Sequence, residues 1–204
     1  MWIYEKRLQY PVNITKTDAR IAKIIATQYG GPDGEIGASM RYLSQRFTAP
    51  NRVCMAVLTD VATEELGHLE MVSTIVHQLT ANLTVEEIEN QGFADYYVDH
   101  AVGIWPQSAG GIPFNSCEFQ SKGDPVTDMF ESMAAEQKAR STYDNILRVV
   151  RDVPEIADPI RFLRAREVVH FQRFGEAKRE VSNTHKSQTN RCITSCHKNN
   201  TDPE

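Results

Sequence analysis

Residues 59–70, TDVATEELGHLE, lie in the middle of the longest uninterrupted helical pattern of the chain, which spans about residues 51–79. Within this stretch, Glu65 and His68 are three positions apart and therefore share one face of a helix. Their neighbours at spacings of three and four are apolar: Cys54, Leu58, Val61, Val72, Ile75 and Leu79. Because burying a charge is unfavourable unless something pairs with it, this face predicts a buried partner, with a metal ion as the leading candidate.

The composition suits one globular domain and excludes several classes of protein. The chain has 204 residues, of which 41% are hydrophobic, and a formal net charge of -5 with no basic stripe, which argues against a nucleic-acid partner. It has neither a run of about 18 apolar residues that could span a membrane nor the apolar core of a secretory signal peptide. Its four cysteines do not form a disulfide framework. We therefore expect an intracellular protein with neither nucleic acid nor membrane as partner.

Apolar residues at helical spacing predict an all-α chain with four long helices. Asp124 followed by Pro125 is a typical helix start, and Pro50 and Val153 mark two tight turns. The four helices are predicted over residues 35–47, 51–79, 125–151 and 155–181.

The remaining segments are shorter or irregular. A helical segment over residues 17–28, capped by Thr17 or Asp18, ends at the glycine-rich residues 30–34. The other segments are an irregular arm of residues 1–14, a short helix opened by the capping box of residues 84–87, an irregular connection of residues 93–124, and a polar, mobile tail of residues 182–204. An irregular connection as long as residues 93–124 usually has a function.

The polar residues of the four apolar faces are predicted to meet. Glu167 and His170 repeat the Glu-x-x-His pattern in the fourth helix, and the first and third helices each carry one inward glutamate, Glu35 and Glu136. Glu35 and Glu65 each lie fifteen residues from Pro50, whereas Glu136 and His170 each lie seventeen residues from Val153. At about 1.5 Å per residue, both sets lie roughly 22–26 Å from their turns, so all fall at one level of a bundle.

One glutamate from each of two helices, with Glu-x-x-His from each of the other two, is the pattern of di-iron and di-manganese carboxylate proteins. The sequence therefore predicts a ferritin-like four-helix bundle over residues 1–181, with a long crossover between the second and third helices. A single Glu-x-x-His pair is weak evidence, but two pairs, two glutamates and matching turn distances together are specific.

Simpler interpretations exist for single residues. Glu35 could only complement the helix dipole, Glu136 could pair with Arg140 on the surface, and His68 and His170 could be hydrogen-bonded core histidines. Tyr42 and Tyr143 are interpreted as core aromatics with hydrogen-bonded hydroxyls, although each lies seven residues after an inward glutamate. Glu64 and Glu70 fall off the apolar face and are interpreted as solvated or interface residues. A metal site at Cys192, Cys196 and His197 is not favoured.

The chain also resembles a known family, the manganese catalases, and in particular the short spore-coat manganese-catalase-like proteins of endospore-forming bacteria. The resemblance covers about residues 1–181. It is carried by residues 29–36 (YGGPDGEI), 64–68 (EELGH), 134–136 (AAE) and 166–171 (REVVHF).

This resemblance implies two manganese ions per chain and dismutation of hydrogen peroxide to water and dioxygen. Glu35 and His68 would bind one ion, Glu136 and His170 the other, and Glu65 would bridge them. The resemblance also implies that Glu167 accepts protons without binding metal, and that Tyr42 lies just outside the ligands. These two residues are the candidate catalytic groups.

The chain departs from the family at two places. Some members have a basic side chain before the third glutamate, whereas this chain has Ala135, so that role is empty or filled otherwise. Larger members have a long C-terminal extension that wraps a neighbouring subunit, and residues 182–204 are unlike it. A homo-oligomer, a hexamer by resemblance, is expected, with other spore-coat proteins as possible partners and the cytoplasm or spore coat as location.

Two alternatives remain open. A di-iron oxidase or peroxidase of the rubrerythrin kind would use Glu167 as a ligand, and a structural coat protein would keep a metal-stabilised bundle with little turnover. Spacing alone does not choose manganese over iron, because both accept carboxylate and imidazole ligands.

Overall fold

The computed structural model describes residues 3–198, and the side chains of residues 3–183. Within these residues the regular secondary structure is helical, apart from one isolated antiparallel bridge between Gln107 and Pro113, and irregular segments connect the helices. The helices are α1 (Ala19–Ile25), α2 (Thr27–Gly30), α3 (Glu35–Gln45), α4 (Arg52–Thr80), α5 (Val85–Asn90), α6 (Ala94–His100), α7 (Pro125–Val150) and α8 (Pro154–Lys198). Short 3-10 turns occupy Arg46–Thr48 and Ser116–Phe119.

Helices α3, α4, α7 and α8 form the predicted four-helix bundle. α3 packs against α4 and α7 against α8, and the two hairpins meet through contacts of α4 with α8 and of α3 with α7. Residues 81–124 carry the chain from the end of α4 to the start of α7, which is the predicted crossover. None of the described helices is both long enough and apolar enough to cross a membrane.

Side-chain caps fix the beginnings of the helices where the sequence predicts them. Asp18 accepts a hydrogen bond from the backbone N–H of Ile21, and Asp124 accepts one from Thr127. Thr84 and Glu87 form both halves of the predicted capping box at α5. These oxygens pair with backbone donors that the first turn of a helix leaves free.

Two predicted segments differ from the structure. Residues 93–124 are not irregular throughout, because they contain α6 and a 3-10 turn. At seven residues α6 is too short for a periodic pattern, and the buried Phe93 and Tyr96 anchor it through a small apolar cluster with Ala19.

The second difference is the end of the last helix. α8 continues to Lys198, so the end predicted near Val181 was wrong. Residues 182–198 lack an apolar face that would signal a helix, yet extending an existing helix needs no new nucleus. The side chains of Cys192, Cys196 and His197 and the whole of residues 199–204 lie outside the described part of the chain, and the mobility of the tail stays a prediction.

The core consists of two apolar clusters with a polar layer between them. One cluster lies towards the α7–α8 turn and includes Ile75, Ile146 and Leu163, and the other lies towards the α3–α4 turn and includes Leu58 and Phe174. Along α4, α7 and α8, the residues between these clusters are the polar ones identified from the sequence. We call them the polar layer: Glu35, Glu65, His68, Glu136, Glu167 and His170.

Candidate metal centre

The structure brings all six side chains of the polar layer together, and each is at most 1% exposed. α3 and α7 each contribute one glutamate, whereas α4 and α8 each contribute a Glu-x-x-His pair. One ligand atom from each of Glu65, His68, Glu167 and His170 falls in a group whose members lie within 4.8 Å of one another. The six residues therefore lie at one level of the bundle, as their spacing from the two turns predicts.

Glu65 lies between the two histidines. Its Oε2 is 2.7 Å from Nδ1 of His68, and its Oε1 is 2.8 Å from Nδ1 of His170. The two imidazole rings are nearly parallel, with centroids 5.3 Å apart. Both oxygens of one carboxylate thus face one imidazole nitrogen each, which is the position that a bridging carboxylate requires.

The other carboxylates surround this centre. Oε2 of Glu35 is 3.8 Å from Nδ1 of His68, and Oε2 of Glu136 is 3.4 Å from Nδ1 of His170. Oε1 of Glu167 is 3.7 Å from Nδ1 of His68. Glu35 therefore belongs to the His68 side of the centre, and Glu136 belongs to the His170 side.

Two buried tyrosines connect the glutamates of opposite helices. The hydroxyl of Tyr42 on α3 donates to Glu136 on α7, and the hydroxyl of Tyr143 on α7 donates to Glu35 on α3. Both hydroxyls are hydrogen-bonded, as predicted. Each tyrosine lies seven residues after the glutamate of its own helix and donates to the glutamate of the other helix. The two hydrogen bonds therefore give the site an approximate two-fold symmetry, which matches the equal spacing in the sequence.

Glu64 was predicted to be a solvated or an interface residue, and the structure shows that it is not solvated. Its side chain is only 17% exposed, and its oxygens lie 3.6 Å from Nε2 of His68 and 3.2 Å from Nε2 of His170. Arg166 donates to both Glu64 oxygens, at 2.6 and 3.2 Å. Position 64 is off the apolar face, but each imidazole directs Nδ1 into the polar layer and Nε2 out towards Glu64, so both histidines face the same carboxylate.

Glu70 behaves as predicted. It accepts a hydrogen bond from the Tyr4 hydroxyl at 2.5 Å on the exposed surface. The sequence distinguishes Glu70 from Glu64, because only Glu64 lies four residues before a histidine of the polar layer. An imidazole that binds metal through one nitrogen needs an acceptor for the other, and an acid one turn earlier on the same helix can provide it.

The polar layer contains four buried carboxyl groups and only two imidazoles, and this imbalance affects the pKa values of the carboxyl groups. Burial, with the negative charge of Glu65, raises the pKa of Glu35, Glu136 and Glu167. Burial opposes ionisation of Glu65 as well, but the charges of both histidines outweigh it and lower the pKa of this carboxyl.

Both imidazoles hold their protons strongly in the protein without metal. Burial would lower the pKa of His68, but Glu65 and Glu64 raise it to about 9. The same carboxylates, with Glu136, raise the pKa of His170 to about 12. Protons thus occupy nitrogen atoms that a metal ion could use.

Many buried nitrogen and oxygen atoms of the polar layer have no hydrogen-bond partner, which fits a site that binds a pair of metal ions. Buried polar groups in proteins nearly always have a hydrogen-bond partner. In the described part of the chain, the exceptions include Oε1 and Oε2 of Glu65, both ring nitrogens of His68 and His170, Oε2 of Glu136 and Oε1 of Glu167. Several of these atoms face an opposite charge, but none makes a well-aligned hydrogen bond. Carboxylate oxygen and imidazole nitrogen are ligands that manganese and iron both accept.

A buried basic residue lies beside the site on α3 and was not identified from the sequence. Arg41 is 2% exposed and donates to the backbone carbonyl of Glu118 at 3.0 Å, with Nη1 3.8 Å from Glu131. Burial raises the pKa of Tyr42, and the charge of Arg41 partly opposes that rise. Ala135 leaves no basic group before Glu136, whereas Arg41 supplies one next to Tyr42.

Four carboxylates and two imidazoles that meet inside a four-helix bundle, with a long crossover between its second and third helices, define a ferritin-like dimetal carboxylate protein. Comparison with known proteins narrows this class. Residues 1–194 match the family model described as manganese containing catalase. The chain belongs to the manganese catalase family.

Individual relatives agree with this assignment. The chain is 47% identical over 177 residues to Protein CotJC of Bacillus subtilis strain 168, covering 87% of this chain and 93% of that protein. It is 30% identical over 185 residues to a probable manganese catalase of Clostridium acetobutylicum, covering 90% and 82%. Among solved structures, wild-type KatB, a manganese catalase from Anabaena, superposes with a TM-score of 0.82 at 29% identity, covering 89% and 81%.

Proposed function

We propose that the protein dismutates hydrogen peroxide to water and dioxygen at a site of two manganese ions per chain. The observation that supports this most directly is the position of Glu65, which directs one oxygen to each histidine inside a layer of unsatisfied carboxylate and imidazole atoms. Membership of the manganese catalase family supports the choice of metal and of substrate.

The proposed ligands divide into two halves around Glu65. Glu35 and His68 would hold one manganese ion, Glu136 and His170 would hold the second, and Glu65 would contribute to both. The division is supported by the proximity of Glu35 to His68 and of Glu136 to His170. Tyr42 and Tyr143 orient the two terminal carboxylates by donating a hydrogen bond to each.

Glu167 is proposed to move protons and not to bind metal. It is fully buried beside the centre, and burial together with the charges of the other carboxylates raises its pKa. A carboxyl group with a raised pKa can hold a proton at neutral pH and return it. Glu167 would therefore accept the protons that one peroxide molecule loses and supply them to the oxygens of another.

Bound as a pair, the manganese ions would supply the exchange of two electrons with peroxide, so that one molecule is reduced to water and a second is oxidised to dioxygen. The residues of the chain would hold this pair in a buried site. Glu64, paired with Arg166, faces the outward nitrogen of both imidazoles, and with metal bound on the inward nitrogens it would serve as their acceptor.

The di-iron alternative and the proposed site differ in the role of Glu167. We expect the purified protein to contain about two manganese ions per chain, and Glu167→Gln to keep them while losing most of its oxygen evolution. Glu65→Gln should lose metal itself. About two iron ions with negligible manganese, or loss of metal in Glu167→Gln equal to that in Glu65→Gln, would contradict the proposal.

A structural coat role is the second candidate, because the relative with 47% identity carries a name that states no activity. Measuring oxygen evolution from peroxide distinguishes a catalase from a structural coat protein. If the manganese-loaded protein evolves none, and the metal-free protein assembles with itself less well, the bundle serves assembly. A homo-oligomer, a hexamer by resemblance, is proposed in either case and is measured by light scattering.

A further inference from the structure

Gln28 on α2 is a fully buried amide that the proposed mechanism does not use. In the described residues, neither its Oε1 nor its Nε2 makes a well-aligned hydrogen bond to the protein. A buried amide without partners destabilises a fold, and an apolar side chain of similar length would avoid this cost. The chain nevertheless has a glutamine at this position.

The backbone of Gln28 lies directly against the start of α3. A Cβ atom added to Gly34 would lie 3.0 Å from the carbonyl oxygen of Gln28, so the two segments pack without space between them. Gly34 caps α3, whose first residue is Glu35. Gln28 is therefore held beside a proposed metal ligand by close packing of the backbone.

The side chain of Gln28 is directed towards the same ligand. Its amide lies close enough to the hydroxyl of Tyr143 to oppose the rise in the pKa of this tyrosine that burial causes, although the contact is not a well-aligned hydrogen bond. The Tyr143 hydroxyl in turn donates to Glu35, and the charge of Glu167 also acts on it. The amide therefore lies at the edge of the polar layer, on the side of Glu35 and Glu167.

An amide differs from the other groups of this site because it is neutral and offers both donors and an acceptor. It suits a small neutral molecule that itself donates and accepts, and it does not suit a metal cation or a second carboxylate. Water and hydrogen peroxide both have this chemistry. A buried polar site needs only two to four partners to hold such a molecule.

We propose that the Gln28 amide binds one small hydroxylic molecule, hydrogen peroxide or water, next to the Tyr143–Glu35 pair. Identification of that molecule as peroxide rests on the proposed catalase function, whereas the binding position itself does not. Gln28 is then a residue that contacts substrate or an ordered water, on the side of the centre where Glu167 handles protons.

The test uses crystals of the manganese-loaded protein and of Gln28→Met, which replaces the amide by an apolar side chain of similar length. We expect an ordered oxygen atom within about 3.2 Å of both amide atoms in the native protein, and none in the variant. If Gln28→Met does not fold, Gln28→Leu serves instead. A native amide with no ordered oxygen beside it would overturn the proposal.

Steady-state kinetics distinguish the two molecules. If peroxide is bound, Gln28→Met should raise KM about tenfold with kcat within twofold, which corresponds to about 1.4 kcal/mol of binding. If water is bound, KM should stay unchanged. Should the native protein prove inactive, the crystallographic result still decides whether the amide holds a molecule, so failure of the proposed function and failure of this site are separate outcomes.

Gln45 provides a matched control because it is also a buried glutamine on the bundle. Its Nε2 donates to Ser121 and its Oε1 accepts from Ser132, both at 2.9 Å. Gln45→Met should lower the melting temperature, since it leaves both serines without their partner, and Gln28→Met should not. A loss of stability in Gln28→Met equal to that of the control, with no ordered oxygen in the native crystals, would assign Gln28 a structural role only.

Discussion

At the scale of single residues, the candidate metal ligands are buried carboxylates and imidazoles on helix faces that are otherwise apolar. The two Glu-x-x-His pairs and the glutamates on α3 and α7 could be predicted because the apolar residues around them show which face is buried. The apolar face does not predict the position of Glu64, because Glu64 lies beside that face and approaches the histidines from their Nε2 side. The position of Gln28 could not be predicted either, because α2 has only four residues and shows no periodic face.

Glu64 is expected to control metal affinity through the histidines. Glu64→Ala removes the acceptor that both Nε2 atoms face, so the imidazoles lose the group that fixes their tautomer. Residues in this position typically change metal affinity about 10- to 100-fold. Competition with a chelator measures the affinity for manganese. The control is Glu70→Ala, because Glu70 is a partly exposed acid on the same helix that does not face the histidines. Equal affinities in the two variants would show that Glu64 has no such role.

The pKa shifts of the polar layer predict how the metal-free protein depends on pH. A raised pKa in the folded state gives stability that is complete below the unfolded value and is lost as pH rises through the folded one. For His68 these values are 6.5 and about 9, and the raised pKa of Glu35, Glu136 and Glu167 acts in the same direction from 4.5 upwards.

We therefore expect the free energy of unfolding of the metal-free protein to fall between pH 6.5 and pH 9, with His68 contributing up to about 3 kcal/mol. Urea unfolding at a series of pH values measures it. The manganese-loaded protein should not show this decrease, because metal would replace the second proton of each imidazole and leave the ring neutral. A metal-free protein that is equally stable at both pH values would contradict the protonation described for the site.

At the scale of elements, the four long helices and their turns could be predicted, whereas the crossover could not. Helix starts carry local signals such as Asp18 and Asp124, but α6 depends on contacts with Ala19, far away in sequence. The crossover also packs on the start of the bundle. Gly30 lies against the backbone of Pro106 and Gln107, and Gly37 lies close to Phe114.

Gly30→Ala should displace the crossover. Its new Cβ would lie 2.3 Å from backbone atoms of Pro106, and overpacking of this kind typically costs about 1–3 kcal/mol. Gly110→Ala in the same crossover meets only a serine oxygen at 3.7 Å and should change stability little. Chemical denaturation of both variants measures the difference. If the two variants are equally stable, the close approach of the crossover to α2 is not a constraint.

At the scale of the whole molecule, the polar layer separates two apolar clusters and holds four glutamates at the centre of the bundle. A ligand that binds only the folded state stabilises it by mass action. Removing metal with a chelator should therefore lower the melting temperature, and adding Mn²⁺ back should restore it. In Glu65→Ala, the addition of Mn²⁺ should have little effect, because both halves of the site lose the carboxylate that they share.

The proposed function of this bundle is to hold two manganese ions and to dismutate peroxide with them. It is tested most directly by measuring oxygen evolution and metal content on one preparation. We expect about two manganese ions per chain, one dioxygen for every two peroxide molecules consumed, and loss of this activity in Glu65→Ala. A manganese-loaded protein that evolves no oxygen, or an active protein whose metal is iron, would contradict it.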